Sequence, residues 1–476
     1  MPVTRGDYDA VVVGSGPNGL SAAITLARTG KSVLVLEACE TVGGGCRSAE
    51  LTLPGFTHDI CSAVHPLALA SPAFKELPLE RYGLEFVHPD LPLAHPLDGG
   101  GAVALHRSLA ETAAGLGRDE VAYRRLFGPL LDSFDDIVST TMGPLGLPRH
   151  PIAVARFGLS ALRSAAGLAQ SRFKTRRARA LFAGMAAHSM LSLETRPGAA
   201  FGLVLAMSAH AVGWPFIRGG SQRLADALAA HLRELGGDIE TGRRVVSLRD
   251  LPRARVWMFD VTPRQLTSIA GDALPSGYLR KLARYRYGPG VFKVDFALSG
   301  PIPWTAETCR RAGTLHLGGT LAEIADAELA VSRGRPASRP YVILAQPSLF
   351  DATRAPGGQH TAWAYCHVPH GSPVDMIEPI VQQIERFAPG FRDVVLETHT
   401  YNAPQMEAYN ANYVGGDING GAQDLRQLFT RPVLRLNPYS TPNPQIFICS
   451  SSTPPGGGVH GLCGYYGAKA ALKRPV

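Results

Sequence analysis

The chain carries seven cysteines, at positions 39, 46, 61, 309, 366, 449 and 463, and no two of them have C-x-x-C spacing. An odd, scattered set supplies neither a disulfide framework nor a zinc cluster, so no metal site is expected. Charge is scarce as well. Asp, Glu, Lys and Arg make up 18% of 476 residues, against 45% hydrophobic ones. That balance excludes global disorder and allows a large core, divided over two or three domains at this length. The net charge of +8 suits an anionic small molecule, an acidic lipid surface or a nucleic acid. No nucleic-acid motif is present, and no basic stripe is interleaved with aromatics, so nucleic acid is discounted. No apolar signal core precedes Arg5-Gly6-Asp7, and a cytoplasmic location is the reading. Residues 198–217 contain no Asp, Glu, Lys or Arg, about the length of a membrane span. Gly198, Gly202, Ser208, His210, Gly213 and Pro215 interrupt the stretch, so a buried helix followed by a loop is expected. There is no tandem repeat. No Ser-His-Asp set or carboxylate pair stands out by spacing.

What the sequence does have is glycine in the right places. "VVVGSGPNGL" (11–20) runs three aliphatic residues into Gly14-Ser15-Gly16-Pro17-Asn18-Gly19. A buried strand is expected over 9–13, a helix over 17–29 ending before Gly30, and a second strand over 32–36. Both strands are continuous aliphatic runs, as in a parallel sheet covered on both faces. In such a βαβ unit Gly14 permits the tight turn, Gly16 lets a phosphate approach, and Gly19 lets the helix lie close to the sheet. The helix start offers N–H groups to an anion. Glu37 ends the second strand, where a ribose 2′-hydroxyl needs a carboxylate. Glu37 therefore disfavours a 2′-phosphate, and NADP with it.

Further along, 109–134 reads as helical. Residues 151–192 mix Ala, Leu and Phe with a basic cluster of Arg172, Lys174, Arg176, Arg177 and Arg179. Residues 218–262 return to glycine loop, helix, Gly-Gly turn, two short strands and a further strand. Segments 290–300 and 359–368 alternate and read as antiparallel strands. Residues 373–388 read as a helix, 410–421 as a turn-rich loop, and the C-terminus as strand, glycine turn and helix. The nested texture divides the chain into a nucleotide domain built from 1–75, 215–288 and 425–476, and a second domain built from 76–214 and 289–424.

The motif G-x-G-x-x-G, then Glu37, then "TVGGGCRS" resembles the N-terminal signature of FAD-dependent oxidoreductases of the amine oxidase and phytoene desaturase group. "GGDIETGRRVVSL", "LPGFTHDICSAVHPLA", "RGGSQRLADAL", "NYVGGDINGG" and "SSTPPGGGVHGLCGYYGAKAAL" resemble the bacterial phytoene-desaturase-like branch. The resemblance implies an α/β fold: a Rossmann-like FAD-binding domain with βββ-containing insertions, plus a mixed antiparallel-sheet and helical substrate domain. It implies noncovalent FAD held by Gly14, Ser15, Gly16, Pro17, Asn18, Gly19, Glu37, Gly44, Gly45, Arg47, Val245, Gly457, Gly458, Val459 and His460. Arg47 stands two residues later than the arginine of many members, with Gly45 in its place. Catalytic candidates are His65, His460, Tyr413, Asp417 and Asn419. His188 and His210, in apolar surroundings, read as packed core histidines.

The activity implied is a dehydrogenase or desaturase acting on an apolar or extended small molecule, with flavin reoxidised by O2, a quinone or another acceptor. Two alternatives stand beside it: a flavin amine oxidase, which calls for an aromatic cage that the sequence does not display, and a non-catalytic FAD-binding partner or scaffold. An NAD-dependent dehydrogenase needs no second glycine cluster and ranks last. The apolar tract 151–217 beside the basic cluster leaves peripheral contact with the inner membrane face as an alternative to a soluble protein.

Overall fold

The computed structural model describes residues 7–144, 148, 150–428 and 430–474. Arg5 and Gly6 of the localisation argument lie outside them. Two sheets organise the chain. The first has five parallel strands in the order Ile446–Ile448, Ala254–Phe259, Tyr8–Val13, Val33–Leu36 and Asp238–Glu240. Its strands come from three separate stretches of chain. The two central ones are almost wholly buried, because helices cover both faces and leave no side for polar residues.

Helix Pro17–Ala27 opens with proline at a position whose N–H would be unpaired anyway. The C-terminal helix Leu462–Leu472 packs against it at close range. A Cβ on Gly464 would collide with the carbonyl of Asn18, so only glycine lets the last helix reach the first. This contact brings the two ends of the sequence to one place.

The second sheet has seven strands, in the order Val395–Tyr401, Gly290–Leu298, His360–Val368, Val342–Ala345, Ala312–Leu317, Leu91–Leu97 and Gly101–Leu105. All pairs are antiparallel except Ala312–Leu317 with Leu91–Leu97. Strand alternation sorts its residues between two cores. Ala362, Ala364 and Cys366 join the core on one face. Trp363 and Tyr365 face the helical layer on the other. That layer includes helices Pro151–Ala161, Ala165–Arg172, Arg176–Ala187 and Gly198–Ala211.

Two sequence expectations change and a third holds. The helical stretch 109–134 is broken into Leu109–Ala114, Glu120–Leu131 and a helix beginning at Phe134, because Gly117 takes a positive φ of 60° between the first two. Only one strand, Asp238–Glu240, follows the Gly236-Gly237 turn. The chain then leaves the sheet edge as Arg243 N donates to Glu37 O at 2.7 Å. The apolar tract forms helix Gly198–Ala211, and among the described residues no single helix is long and apolar enough to cross a membrane.

A buried knot holds the two sheets together. Arg354, fully buried, donates to Asp351 Oδ2, Asp59 Oδ2 and Ile217 O, each at 3.0 Å. Asp59 also accepts from Ser48 Oγ and Ser221 N, both at 2.7 Å. Asp351 is three residues from Arg354, but Asp59 and Ile217 come from distant stretches of chain, so the ion cluster fixes their relative placement.

Candidate functional site

A cleft of about 350 Å³ runs from the Gly14–Asn18 loop to the aromatic face of the second sheet. Its size is that of a small-molecule site. At one end the wall is the strand-to-helix turn. Gly14, Ser15, Gly16, Pro17 and Asn18 line it, with Glu37, Gly44, Gly45, Arg47, Arg243, Arg244 and Val245 opposite. Gly19 lies behind the wall, its N–H donating to Asp260 Oδ2 at 2.9 Å.

Glu37 is buried and accepts four hydrogen bonds: Ser15 N at 2.9 Å, Ser15 Oγ at 2.6 Å, Cys39 N at 2.9 Å and an Arg47 guanidinium nitrogen at 3.0 Å. Those four donors fill the lone-pair directions of a carboxylate. A ribose diol can replace the Ser15 hydroxyl or the Arg47 guanidinium without orphaning a buried backbone N–H. Arg47 also donates to Thr41 O at 3.1 Å and lies 5.8 Å from the centre of the Tyr409 ring. The structure thus puts Arg47 on the Glu37 carboxylate rather than free over the glycine loop.

Asp260, at the end of strand Ala254–Phe259, was not singled out by the sequence. Burial pushes its carboxyl up to about 8, so it is neutral at pH 7 and does not repel an anion beside it. A Cβ on Gly16 would stand 2.9 Å from Asp260 Oδ2, so this glycine is demanded by the sheet as well as by a ligand. Asn412 clamps the 410–421 loop here, donating to Asp260 O and accepting from Thr262 N, both at 3.0 Å.

The middle of the cleft is walled by Cys61 to Leu67 and by Gly458-Val459. Ser221 Oγ donates to Ser62 O at 2.5 Å. His65 Nε2 must therefore donate to Ser221 Oγ, 2.8 Å away, which leaves its buried Nδ1 as an acceptor with no protein partner. Burial lowers His65 to about 4, so the ring is neutral. Tyr413 and Asn419 also line the cleft.

His460, Asp417 and Gly457 do not line it. His460 is fully buried; its Nδ1 accepts from Leu462 N at 3.0 Å and its carbonyl accepts from Ser71 Oγ at 2.6 Å. It fixes the start of the last helix, and the structure gives it no reach to a ligand. Asp417 accepts from Gly288 N at 2.7 Å and Asn419 N at 2.8 Å, and burial raises its carboxyl. It organises the loop from behind.

The far end is an apolar, aromatic chamber that the sequence reading did not find. Trp214, Leu205, Thr314, Ile343, Trp363, Tyr365 and His188 line it. Trp363 and Tyr365 form an edge-to-face pair, 5.1 Å between centroids at 71°. The signal was available in the alternation of 361–367, where Trp363, Tyr365 and His367 share a face. His188 departs from the expectation of a packed core residue. It is part-exposed to the cleft, with Nε2 2.9 Å from His316 Nε2. His210 is the structural histidine, bonded to Tyr123 OH at 2.9 Å and Arg107 O at 3.1 Å.

The residues present fit an adenine dinucleotide. The glycine wall leaves room for phosphate, Glu37 offers carboxylate oxygens to a diol, and the unpartnered His65 Nδ1 awaits a donor.

Comparison with known proteins supports the same fold. The NAD(P)-binding Rossmann-like domain family matches residues 12–77. The mouse protein named pyridine nucleotide-disulfide oxidoreductase domain-containing protein 2 is 27% identical, over 98% of this chain and 94% of its own. One of the limonene dehydrogenase subunits of Castellaniella defragrans is 30% identical over 29% of this chain and 26% of its own. Among solved structures, an oxidoreductase from Methanosarcina mazei superposes with a TM-score of 0.65 at 18% identity, covering 98% of this chain and 100% of its own. Putrescine oxidase bound to putrescine gives 0.65 at 18% identity, covering 98% and 99%. The chain therefore has a Rossmann-like dinucleotide domain within the two-sheet fold of these oxidoreductases.

Proposed function

We propose that this protein is an FAD-dependent dehydrogenase or desaturase that removes a hydride from an uncharged, apolar small molecule. The carrying observation is the distribution of charge along one continuous cleft. Among the described residues that line it, the acidic groups are Glu37 and Asp260 and the arginines are Arg47, Arg243 and Arg244, all at the glycine-loop end. The other end offers Trp214, Leu205, Ile343, Trp363 and Tyr365. An ADP moiety suits the first end, and a ligand without charge suits the second.

Bound FAD would supply the two-electron chemistry. Gly14 to Asn18 and Glu37 would hold its adenosine diphosphate half, with Gly44, Gly45, His65, Gly458 and Val459 along the remainder. The chamber residues exclude water and orient the substrate by shape. O2, a quinone or another acceptor completes the cycle. A relative over part of the chain is named for limonene, an apolar hydrocarbon, which agrees in kind.

Amine oxidation is the second reading, favoured by the fold shared with putrescine oxidase. A diamine carries two positive charges, and no carboxylate lines the chamber among the described residues, so this reading ranks lower. The test is direct. Purified protein should show a flavin visible spectrum, release FAD on denaturation, and bleach anaerobically with terpenoid hydrocarbons or alcohols faster than with amines. Colourless protein that takes up no added FAD overturns the proposal. Bleaching by amines alone selects the second reading, and tightly bound FAD that no compound reduces selects a non-catalytic role.

A further inference from the structure

Removing a hydride from an uncharged C–H leaves a proton to be removed as well. In an apolar chamber few groups can take it. Among the described residues lining the aromatic end, His188 is the only one with an imidazole side chain. It does not stand alone. His188 sits on helix Arg176–Ala187 as its C-terminal cap, His316 on strand Ala312–Leu317 and His95 on strand Leu91–Leu97. These two strands are neighbours in the second sheet, and the helix lies across them.

The hydrogen bonds give the three rings a direction. His95 Nε2 is 2.7 Å from Gly319 O. A carbonyl only accepts, so this nitrogen carries the hydrogen and His95 Nδ1 is an acceptor. His95 Nδ1 and His316 Nδ1 are both buried without a protein partner. Both face one point above Gly184, where a Cβ would lie 3.1 Å from the first and 2.7 Å from the second. On the other side His316 Nε2 meets His188 Nε2 at 2.9 Å. Two facing Nε2 atoms can bond only if one ring is protonated there and the other is not. His188 Nδ1 is left open to the cleft.

We propose that His188 accepts the substrate proton and that His316 holds it in the tautomer that can do so. The inference rests on the flavin reading, since the electron pair leaves the substrate as hydride to the flavin while only the proton goes to His188. The proton joins His188 Nδ1. His188 Nε2 keeps its hydrogen toward His316 Nε2, and the positive charge rests on the His188–His316 pair until the proton leaves through the cleft.

The surroundings hold these rings neutral. His188 is held down to about 3, first by burial and then by His367, which is itself paired with Glu328 at 2.9 Å. Burial and its two histidine neighbours hold His316 far below the ordinary imidazole value; Tyr341 lies beside it, edge-on. His95 is lowered to about 4 by burial, but Gly319 O and Glu323 favour its charged form against Arg386. Glu323 and Arg386 form an ion pair at 2.8 Å, and Glu323 is 32% exposed. Burial thus favours the neutral ring at all three positions.

The test uses holoprotein labelled with ¹⁵N-histidine, assigned with His188→Gln, His316→Gln and His95→Gln. Expected are neutral rings at pH 7 on His188 and His316, one carrying its hydrogen on Nε2 and the other on Nδ1, both resisting protonation to below pH 5. The second arm is anaerobic flavin bleaching by the fastest compound of a terpenoid hydrocarbon and alcohol panel. H188Q slows it about 100-fold or more, and H316Q about 10-fold with a diminished solvent isotope effect and little change in KM. H210Q, which removes a structural histidine, changes it less than about twofold. Identical tautomers on His188 and His316, or a charged ring at pH 7, overturn the proposal. So does unaltered bleaching by H188Q with flavin still bound, which leaves the flavin reading standing. Protein that binds no flavin overturns that reading instead, and the NMR arm still decides the tautomer pairing.

Discussion

The two ends of the cleft treat polar atoms in opposite ways. At the glycine-loop end Glu37 has all four lone-pair directions filled, and Asp260 receives the Gly19 N–H. At the aromatic end His95 Nδ1 and His316 Nδ1 are buried and unpartnered. A fully bonded carboxylate is held in one orientation. An imidazole with a free nitrogen, pressed below its usual pKa by burial, keeps a lone pair open to a donor. One end is built from bonded carboxylates and the other from imidazoles with an open nitrogen.

The largest expected effect breaks the first end. Gly16→Val places a Cβ 2.9 Å from Asp260 Oδ2 and fills the space a phosphate needs. Bound flavin, read as the 450 nm to 280 nm ratio, should fall by about 10-fold or more, while circular dichroism stays that of the wild type. Full flavin content in this variant would show that the loop is not the phosphate site.

Next comes the seam between the ends. Arg354→Met strips the counter-ion from Asp59 and Asp351, both buried. A loss of about 3–5 kcal/mol in urea unfolding is expected, because the two carboxylates remain without it. An unchanged midpoint would mean that the knot is ornamental to the joint between the sheets.

The smallest effect sharpens the comparison by pH. Asp260 is raised to about 8 in the folded protein, above the unfolded carboxyl value of about 4. The folded state therefore binds the extra proton, and stability is lost as pH rises toward 8. Relative to Asp260→Asn, the wild type should lose roughly 1 kcal/mol per pH unit between pH 5 and 8. A difference that stays flat over that range would place the Asp260 carboxylate in solvent. The histidine end should show the reverse dependence. Its depressed groups favour the neutral fold above their folded pKa values and weaken it on acidification below the ordinary imidazole value.

Legibility in the sequence followed locality. The first strand, glycine turn, helix and second strand were readable because they are contiguous and each has its own period. Glu37 was readable because the same short unit fixes its distance from the loop. His65, Tyr413 and Asn419 were named, and the structure brings them to the cleft; His460 and Asp417 were named, and it sets them behind the wall. Gly-rich context marks a turn but not which side chains of the turn face outward. His188 and His210 looked alike as histidines in apolar helices. They parted only when one was set against a strand histidine and the other against Tyr123 and a loop carbonyl.

The sequence by itself determined a Rossmann-like glycine turn, the acidic residue that ends the second strand, and the presence of two sheets with different periodicity. Those are properties of neighbours in the chain, set by backbone sterics and hydrophobic spacing. Tertiary structure decided what the second sheet is for. It placed Trp214, Thr314, Trp363 and His188, drawn from four separate stretches, around one chamber. It then laid Gly184 between two histidines more than 200 residues apart. Those histidines approach one another only because a helix without a side chain at that point crosses two neighbouring strands.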